Sequence, residues 1–386
     1  RAMSFMSRRV SGSLAGAGTV DNSTGSGTYT LTTGADNTST TFSGIIKNTS
    51  GSVALSKAGS GALTLSGNNT FSGGYTHVAG DVELGHSNAL GTGTATTTSS
   101  GRIFLMNGVS IGNTLTISTC NAGVGHSVVN SDTGANATWS GTINVNTLCT
   151  TGGHLGGAED LSGSLTVSGA INMGGTATWV QQRDGVVIYS GGGNATRFDL
   201  LKGTARLGAT NGLPSTARFS QSHAGYVSAL DLYGYSQTFQ GIAAPANANA
   251  TLTNSQAGLS TLTLTGSVDT TYSGNITGNL ALVKSGTYVQ TLGGTNTYTG
   301  ATTISQGTLK MGGASALSSA TSLSVTGTLD LNGYSESVGS ITGAGTIDNT
   351  SSNAGTYTLA TGGDNTSTTF SGTIKNTAQS VALTKT

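Results

Sequence analysis

The stretch GVSIG, Gly108 to Gly112, has the Gly-x-Ser-x-Gly spacing that sets a serine nucleophile on a tight turn between a strand and a helix. In a chain with 62 glycines such a match arises by chance, and the related stretches GYSQT and GYSES, around Ser236 and Ser335, lack the second glycine. Ser110 therefore reads as a turn residue. Cys120, His126, Cys149 and His154 would supply thiolates and imidazoles for zinc, yet Cys-x5-His and Cys-x4-His are not the spacings of common zinc modules. His77, His86 and His223 add no metal-binding spacing on one element. Glu159 and Asp160 form an adjacent carboxylate pair, with Arg183 and Asp184 further on. Two carboxylates could cleave a glycosidic bond by acid and base catalysis. The plainer reading is a solvated loop. Glycine-rich phosphate loops and calcium-binding GGxGxD runs are missing from the sequence, which calls for no cofactor.

Composition turns attention from chemistry to architecture. Charged residues make up 8% of 386, against about 25% in a typical soluble domain, and net charge is zero. Neutrality removes the electrostatic case for nucleic acid or an anionic membrane surface. No apolar run is long enough to cross a membrane as a helix, and the opening RAMSFMSRRV has no apolar core of a signal peptide. Abundant Thr, Val and Ile with many glycines favour strands joined by turns over disorder.

The chain repeats itself. NNTFSGGYTHVAGDVELG, from Asn68, returns as TNTYTGATTISQGTLKMGG, from Thr295. A worn copy, GGNATRFDLLKGTARLGATNGL, begins at Gly192, and LDLYGYSQT (Leu230) returns as LDLNGYSES (Leu329). The tightest match joins the two ends: GTYTLTTGADNTSTTFSGIIKN and GTYTLATGGDNTSTTFSGTIKN, with Gly27 answering Gly355 and Lys57 answering Lys385. The last copy breaks off part-way, which reads as a fragment of a longer array. Within each unit Leu65, Leu84 and Leu105 recur at 84 − 65 = 19 and 105 − 84 = 21 residues. Leu292, Met311 and Leu331 follow the same beat, as do Ile188 and Leu207 in the worn copy.

Around these positions apolar and Thr/Ser residues alternate, so one face of each short strand turns inward. Strands of a few residues, glycine corners and a beat of about 20 residues describe a right-handed parallel β-helix, a β-solenoid. About 19 coils at the ordinary 4.8 Å strand spacing would stack to roughly 90 Å. The eight residues of the beat form the expected core stack. Three segments are expected: a repeat unit with the N-terminal edge at 1–112, divergent coils at 113–180, and further repeat units at 181–386.

On SKAGSGALTLSGNNTFSGGYTHVAGDVELG, VKSGTYVQTLGGTNTYTGATTISQGTLKMGG and LDLNGYSESVGSITGAGTIDN, the chain resembles the autotransporter-associated β-strand repeat of bacterial passenger proteins. Asn113 to Val180 departs from that pattern, and no terminal membrane barrel follows. The resemblance implies a β-helical passenger, exposure at the cell surface, and adhesion or autoaggregation. A secreted setting makes a Cys120–Cys149 disulfide the expected state, with two buried thiols as the alternative.

The resulting expectation is an extracellular, non-enzymatic structural rod or stalk. Its partners would be further copies of itself, laterally or end to end, along with host or matrix glycans or proteins. Low charge weakens self-repulsion, and matching open ends favour filaments. The recurring aromatics Phe42, Phe71, Tyr272, Tyr298 and Phe370 suit core packing better than a sugar-binding ladder. Threonines are too irregular for an ice-binding plane. The competing expectation is a glycan-binding or polysaccharide-cleaving β-helix with its site between residues 120 and 184.

Overall fold

The computed structural model describes residues 3–4, 9–98, 101–118, 129–131, 134–145, 153–155, 163–174, 179–181, 184–223 and 225–386. Among them the regular elements are all strands, and every strand pairing is parallel. The fold is a parallel β-solenoid, built in two compact units, Arg1–Thr196 and Arg197–Thr386.

In the first unit the strands Thr40–Phe42, Leu63–Leu65, Val82–Leu84 and Ile103–Leu105 lie side by side on consecutive coils. Their register places Phe42, Leu65, Leu84 and Leu105 in one file. All four are buried, the three leucines completely. Period-two alternation produces this: the middle residue of each strand faces water, and its neighbours face the core. Burying each such side chain contributes roughly 1.5–3 kcal/mol, and a single coil has nothing to bury it against.

A second sheet of the same unit runs from Tyr29–Thr33 through Val53–Lys57, Tyr75–His77, Ala95–Thr97, Leu115–Ile117 and Ile143–Val145 to Ile171–Met173. Its outward file reads Thr32, Ser56, Thr76, Thr96, Thr116, Asn144, Asn172, all uncharged. The Asn172 amide donates to the Asn144 side-chain oxygen at 3.2 Å, a ladder bond between like residues.

The second unit repeats the scheme. Thr270–Tyr272, Val289–Leu292, Thr308–Met311, Thr328–Asp330 and Thr346–Asp348 are consecutive strands of one sheet. Tyr272, Leu292 and Met311 share a file. Leu331 extends it, because Asp330 pairs with Lys310 and Leu331 is the next residue. Leu207 is buried at the end of Gly203–Leu207.

Two expectations need correction. Ile188 does not enter the core: in Val186–Tyr189 the inward residues are Val187 and Tyr189, and Ile188 is half-exposed. A one-residue shift of phase exchanges the faces of a strand, and the run VVIY gives no alternation to fix it. Nor is the coil uniformly about 20 residues long. Thr328 pairs with Thr346, 346 − 328 = 18, whereas Leu115 pairs with Ile143, 143 − 115 = 28. Longer coils mean fewer of them than a uniform beat implies.

Corners, not strands, set which residues are irreplaceable. At Gly67 a Cβ would be driven into the Gly44 carbonyl oxygen, so backbones of adjacent coils touch there directly. Gly59 meets Gly34 the same way and adds a left-handed φ of 67°, which only glycine adopts without strain. Replacement of the buried Leu84 by alanine is expected to cost about 2–5 kcal/mol in urea unfolding. At the corrected position, Ile188→Thr should cost less than about 1 kcal/mol while Val187→Asp severely destabilises, since only the latter buries a charge. Equal effects of the two would contradict the observed facing.

Candidate functional site

Much of the chemistry anticipated from the sequence lies elsewhere or has another use. Cys120, Cys149, Glu159, Asp160, His126 and Arg183 lie outside the described residues. Ser110 opens the strand Ser110–Ile111, and its backbone N–H donates to the Ser87 hydroxyl at 3.1 Å. At the related positions the serine is instead the acceptor: the Ser236 and Ser335 hydroxyls accept from the backbone N–H groups of Thr261 and Thr358, both at 3.0 Å. The anticipated aromatics Phe42, Phe71, Tyr272 and Tyr298 are buried.

What the sequence reading missed is a set of ionisable groups inside the coil corners. Lys57 and Lys284 are buried at equivalent places in the two copies. The Lys57 ammonium donates to the carbonyl oxygens of Ala58, Gly59 and Ala79, at 2.8, 3.0 and 3.0 Å. It thereby ties its own turn to the turn of the next coil. The Lys284 ammonium donates to Gly286 and Gln306 at 2.5 and 3.2 Å, and lies 4.0 Å from the Tyr288 ring centroid. Desolvation lowers both ammonium pKa values, that of Lys284 to about 8. Carbonyl dipoles and an aromatic face are what keep such a cation tolerable.

His77 sits in register with Lys57 on the following coil and is fully buried. Burial pushes its pKa down to about 4, so the ring is neutral. Its Nε2 is 2.8 Å from the Gly80 carbonyl, which can only accept, and its Nδ1 is 3.0 Å from the Tyr75 hydroxyl. The ring thus donates from Nε2 and accepts at Nδ1, and both nitrogens are satisfied.

Aspartates at strand ends form a second device. Asp330 accepts from the Asn332 and Thr350 backbone N–H groups, both at 3.0 Å, and from the Thr350 hydroxyl at 2.6 Å. Lys310 stands 3.3 Å away. Asp348 repeats the arrangement with the Thr377 hydroxyl at 2.7 Å and Lys375 at 3.2 Å. Asp231 does so with the Ser255 hydroxyl at 2.8 Å and Arg206 at 3.2 Å, and Asp21 with the Thr49 hydroxyl at 2.6 Å. Each carboxylate is a staple between one coil and the next. Burial alone would raise the Asp348 pKa, but the bonds from Thr377 and Lys375 outweigh it and hold it below the usual value. Asp330 and Asp348 lie in register on adjacent coils, beside a groove of about 550 Å³ lined also by Thr271, Thr291, Thr308 and Thr328. Their oxygens are engaged in the corner.

Gln237 and Glu336 occupy matching places in GYSQT and GYSES. The Gln237 amide accepts from the Leu213 N–H at 3.2 Å and donates to the Leu213 and Thr238 carbonyls at 3.1 and 2.7 Å. Glu336 accepts from the Ala316 and Leu317 N–H groups at 3.1 and 3.2 Å, but an ionised carboxylate has nothing to donate. Burial raises its pKa to about 7, ahead of the lowering by those two bonds.

These coils, with inward apolar files and polar corner staples, define a repeat-built β-solenoid. A family model described as the passenger-associated-transport-repeat matches residues 55–80 and 282–311. The chain thus carries that repeat twice, in two of the stretches on which its resemblance to autotransporter passengers rests. Both matches contain the corner lysine and the glycine turn that follows it. No curated protein and no solved structure matches the chain.

Removing a staple should be costly. Asp330→Ala strands two backbone donors, the Thr350 hydroxyl and Lys310, and is expected to lose about 2–4 kcal/mol in denaturant unfolding. Glu336 should make stability pH-dependent. Its folded pKa is raised, so its contribution is complete below about pH 4.5 and is lost as pH climbs through about 7. Glu336→Gln is expected to flatten that fall, worth on the order of 3 kcal/mol. A melting curve with the same pH slope in both proteins would refute the assignment.

Proposed function

We propose that this chain is a structural segment of an autotransporter passenger, carried out to the bacterial surface or beyond, whose work is mechanical support and not catalysis. The observation that carries this reading is the use made of its buried polar groups. Lys57, Lys284, Asp231, Asp330 and Asp348 all spend their bonding capacity tying coil to coil. Groups so committed suit a scaffold. Within each unit a parallel ladder spreads pulling force across many hydrogen bonds, and the passenger-repeat matches support a surface setting.

We further propose that the segment associates with copies of itself. The file from Thr32 to Asn172 in the first unit offers a neutral sheet face, and 8% charge leaves little long-range repulsion to keep such faces apart. Contact of this kind supports aggregation between cells that display the passenger. In sedimentation velocity the wild-type chain should shift to faster species as concentration rises. Thr76→Lys with Thr116→Lys, both outward and two coils apart, should suppress the shift without changing the melting temperature. Concentration-independent sedimentation of the wild type would sink the association.

A further inference from the structure

An asparagine followed by glycine is a chemically fragile step, because no side chain on the glycine shields its nitrogen from the asparagine amide. The chain has three, Asn107–Gly108, Asn211–Gly212 and Asn332–Gly333. The reaction needs only water. The glycine nitrogen loses its proton and bonds to the asparagine Cγ, the Cγ–Nδ2 bond breaks, and ammonia leaves. Water then opens the resulting imide ring at either carbonyl, giving aspartate or isoaspartate. Isoaspartate routes the main chain through the former side chain and so lengthens it by one methylene.

All three steps stand at corners, and in each the attacking and the attacked group are both engaged. Gly108 N–H donates to the Asn136 carbonyl of the next coil at 2.8 Å, and the Asn107 side-chain oxygen accepts the Asn136 N–H at 3.0 Å. Gly333 N–H donates to the Asn349 side-chain oxygen of the next coil at 3.0 Å. The Asn332 amide donates to the Met311 carbonyl of the preceding coil at 2.8 Å. At the third step Gly212 N–H donates to the Ala209 carbonyl within its turn at 3.0 Å, and the Asn211 side-chain oxygen accepts the Thr238 N–H of the next coil at 2.8 Å. Burial is not the common factor, since Asn107 and Gly108 are both exposed. What the three share is an asparagine side chain bonded to a neighbouring coil. Ring closure needs rotation about the asparagine bonds and a free glycine N–H, and the stacked coil withholds both.

We propose that coil-to-coil register keeps these three asparagines intact, and that a corner which opens is marked permanently by isoaspartate. The steps are modification sites whose reactivity reads out stacking. A coil that closes promptly keeps its amides. One that stays open loses the Asn332 donor to Met311, or gains a methylene at a corner whose bonds depend on position, and cannot close as before. Each corner has its own opening free energy, so the three sites report separately.

The test incubates the native chain and the chain in guanidinium chloride at the same mildly alkaline pH, then maps isoaspartate at each step by peptide mass spectrometry. Conversion in the native chain should be at least about tenfold slower at all three steps, because it is limited to the open population. Asn349→Ala removes the acceptor of Gly333 N–H and should raise native conversion at least about fivefold at Asn332, leaving Asn107 and Asn211 slow. If that variant instead loses its stack, all three steps convert together, which supports register as the shield. Chains refolded after conversion should melt lower than chains refolded at once. Native conversion of the wild type at the denatured rate, an unaltered Asn332 rate in a folded Asn349→Ala, or equal melting after conversion would overturn the proposal. None of these outcomes bears on self-association, which is read by sedimentation.

Discussion

Parallel, in-register hydrogen bonding between successive coils is the constraint from which the other features follow. Because each strand lies directly on its predecessor, a residue meets the same position one coil below and one coil above. Apolar residues then stack as files, as from Phe42 to Leu105. Backbones at corners stack as well, and where they touch no side chain fits, as at Gly67 over Gly44. Stacking like on like suits leucine, threonine and glycine. Identical charges at the strand spacing would repel.

Charge is therefore admitted in two ways. A lysine is drawn inside where turn carbonyls from two coils converge, as at Lys57. An aspartate sits at a strand end where the next coil offers a hydroxyl and N–H donors and a basic side chain stands beside it, as at Asp330. In both cases the ion replaces a strand-to-strand bond that a corner cannot make. Glu336 is the exception that shows the rule. It occupies the place where Gln237 both donates and accepts, and its carboxyl matches that pattern only when protonated.

The core was legible in the sequence wherever alternation was clean. ALTLSG and DVELG name an inward face without ambiguity, and Leu65, Leu84 and Leu105 fall in one file as the spacing requires. Ile188 was misread because VVIY has apolar residues on both faces. The corner lysines and aspartates went unnoticed for a different reason. Charged residues in a repeat look like surface, and the partners of Asp348 and Lys57 lie 29 and 22 residues away, a distance that only the register makes short. The signal was present: the same lysine precedes the glycine turn in SKAGSG and VKSGTY, and LDL occurs twice.

Among the described strand pairs coil length varies from 20 − 3 = 17 to 143 − 115 = 28 residues while the strands keep their register. Length is thus absorbed sideways, at the bends, and never along the axis of stacking. Such a chain can alter what it presents to the outside one bend at a time, each change invisible to the layers beneath. Support and display are separate problems in such a chain.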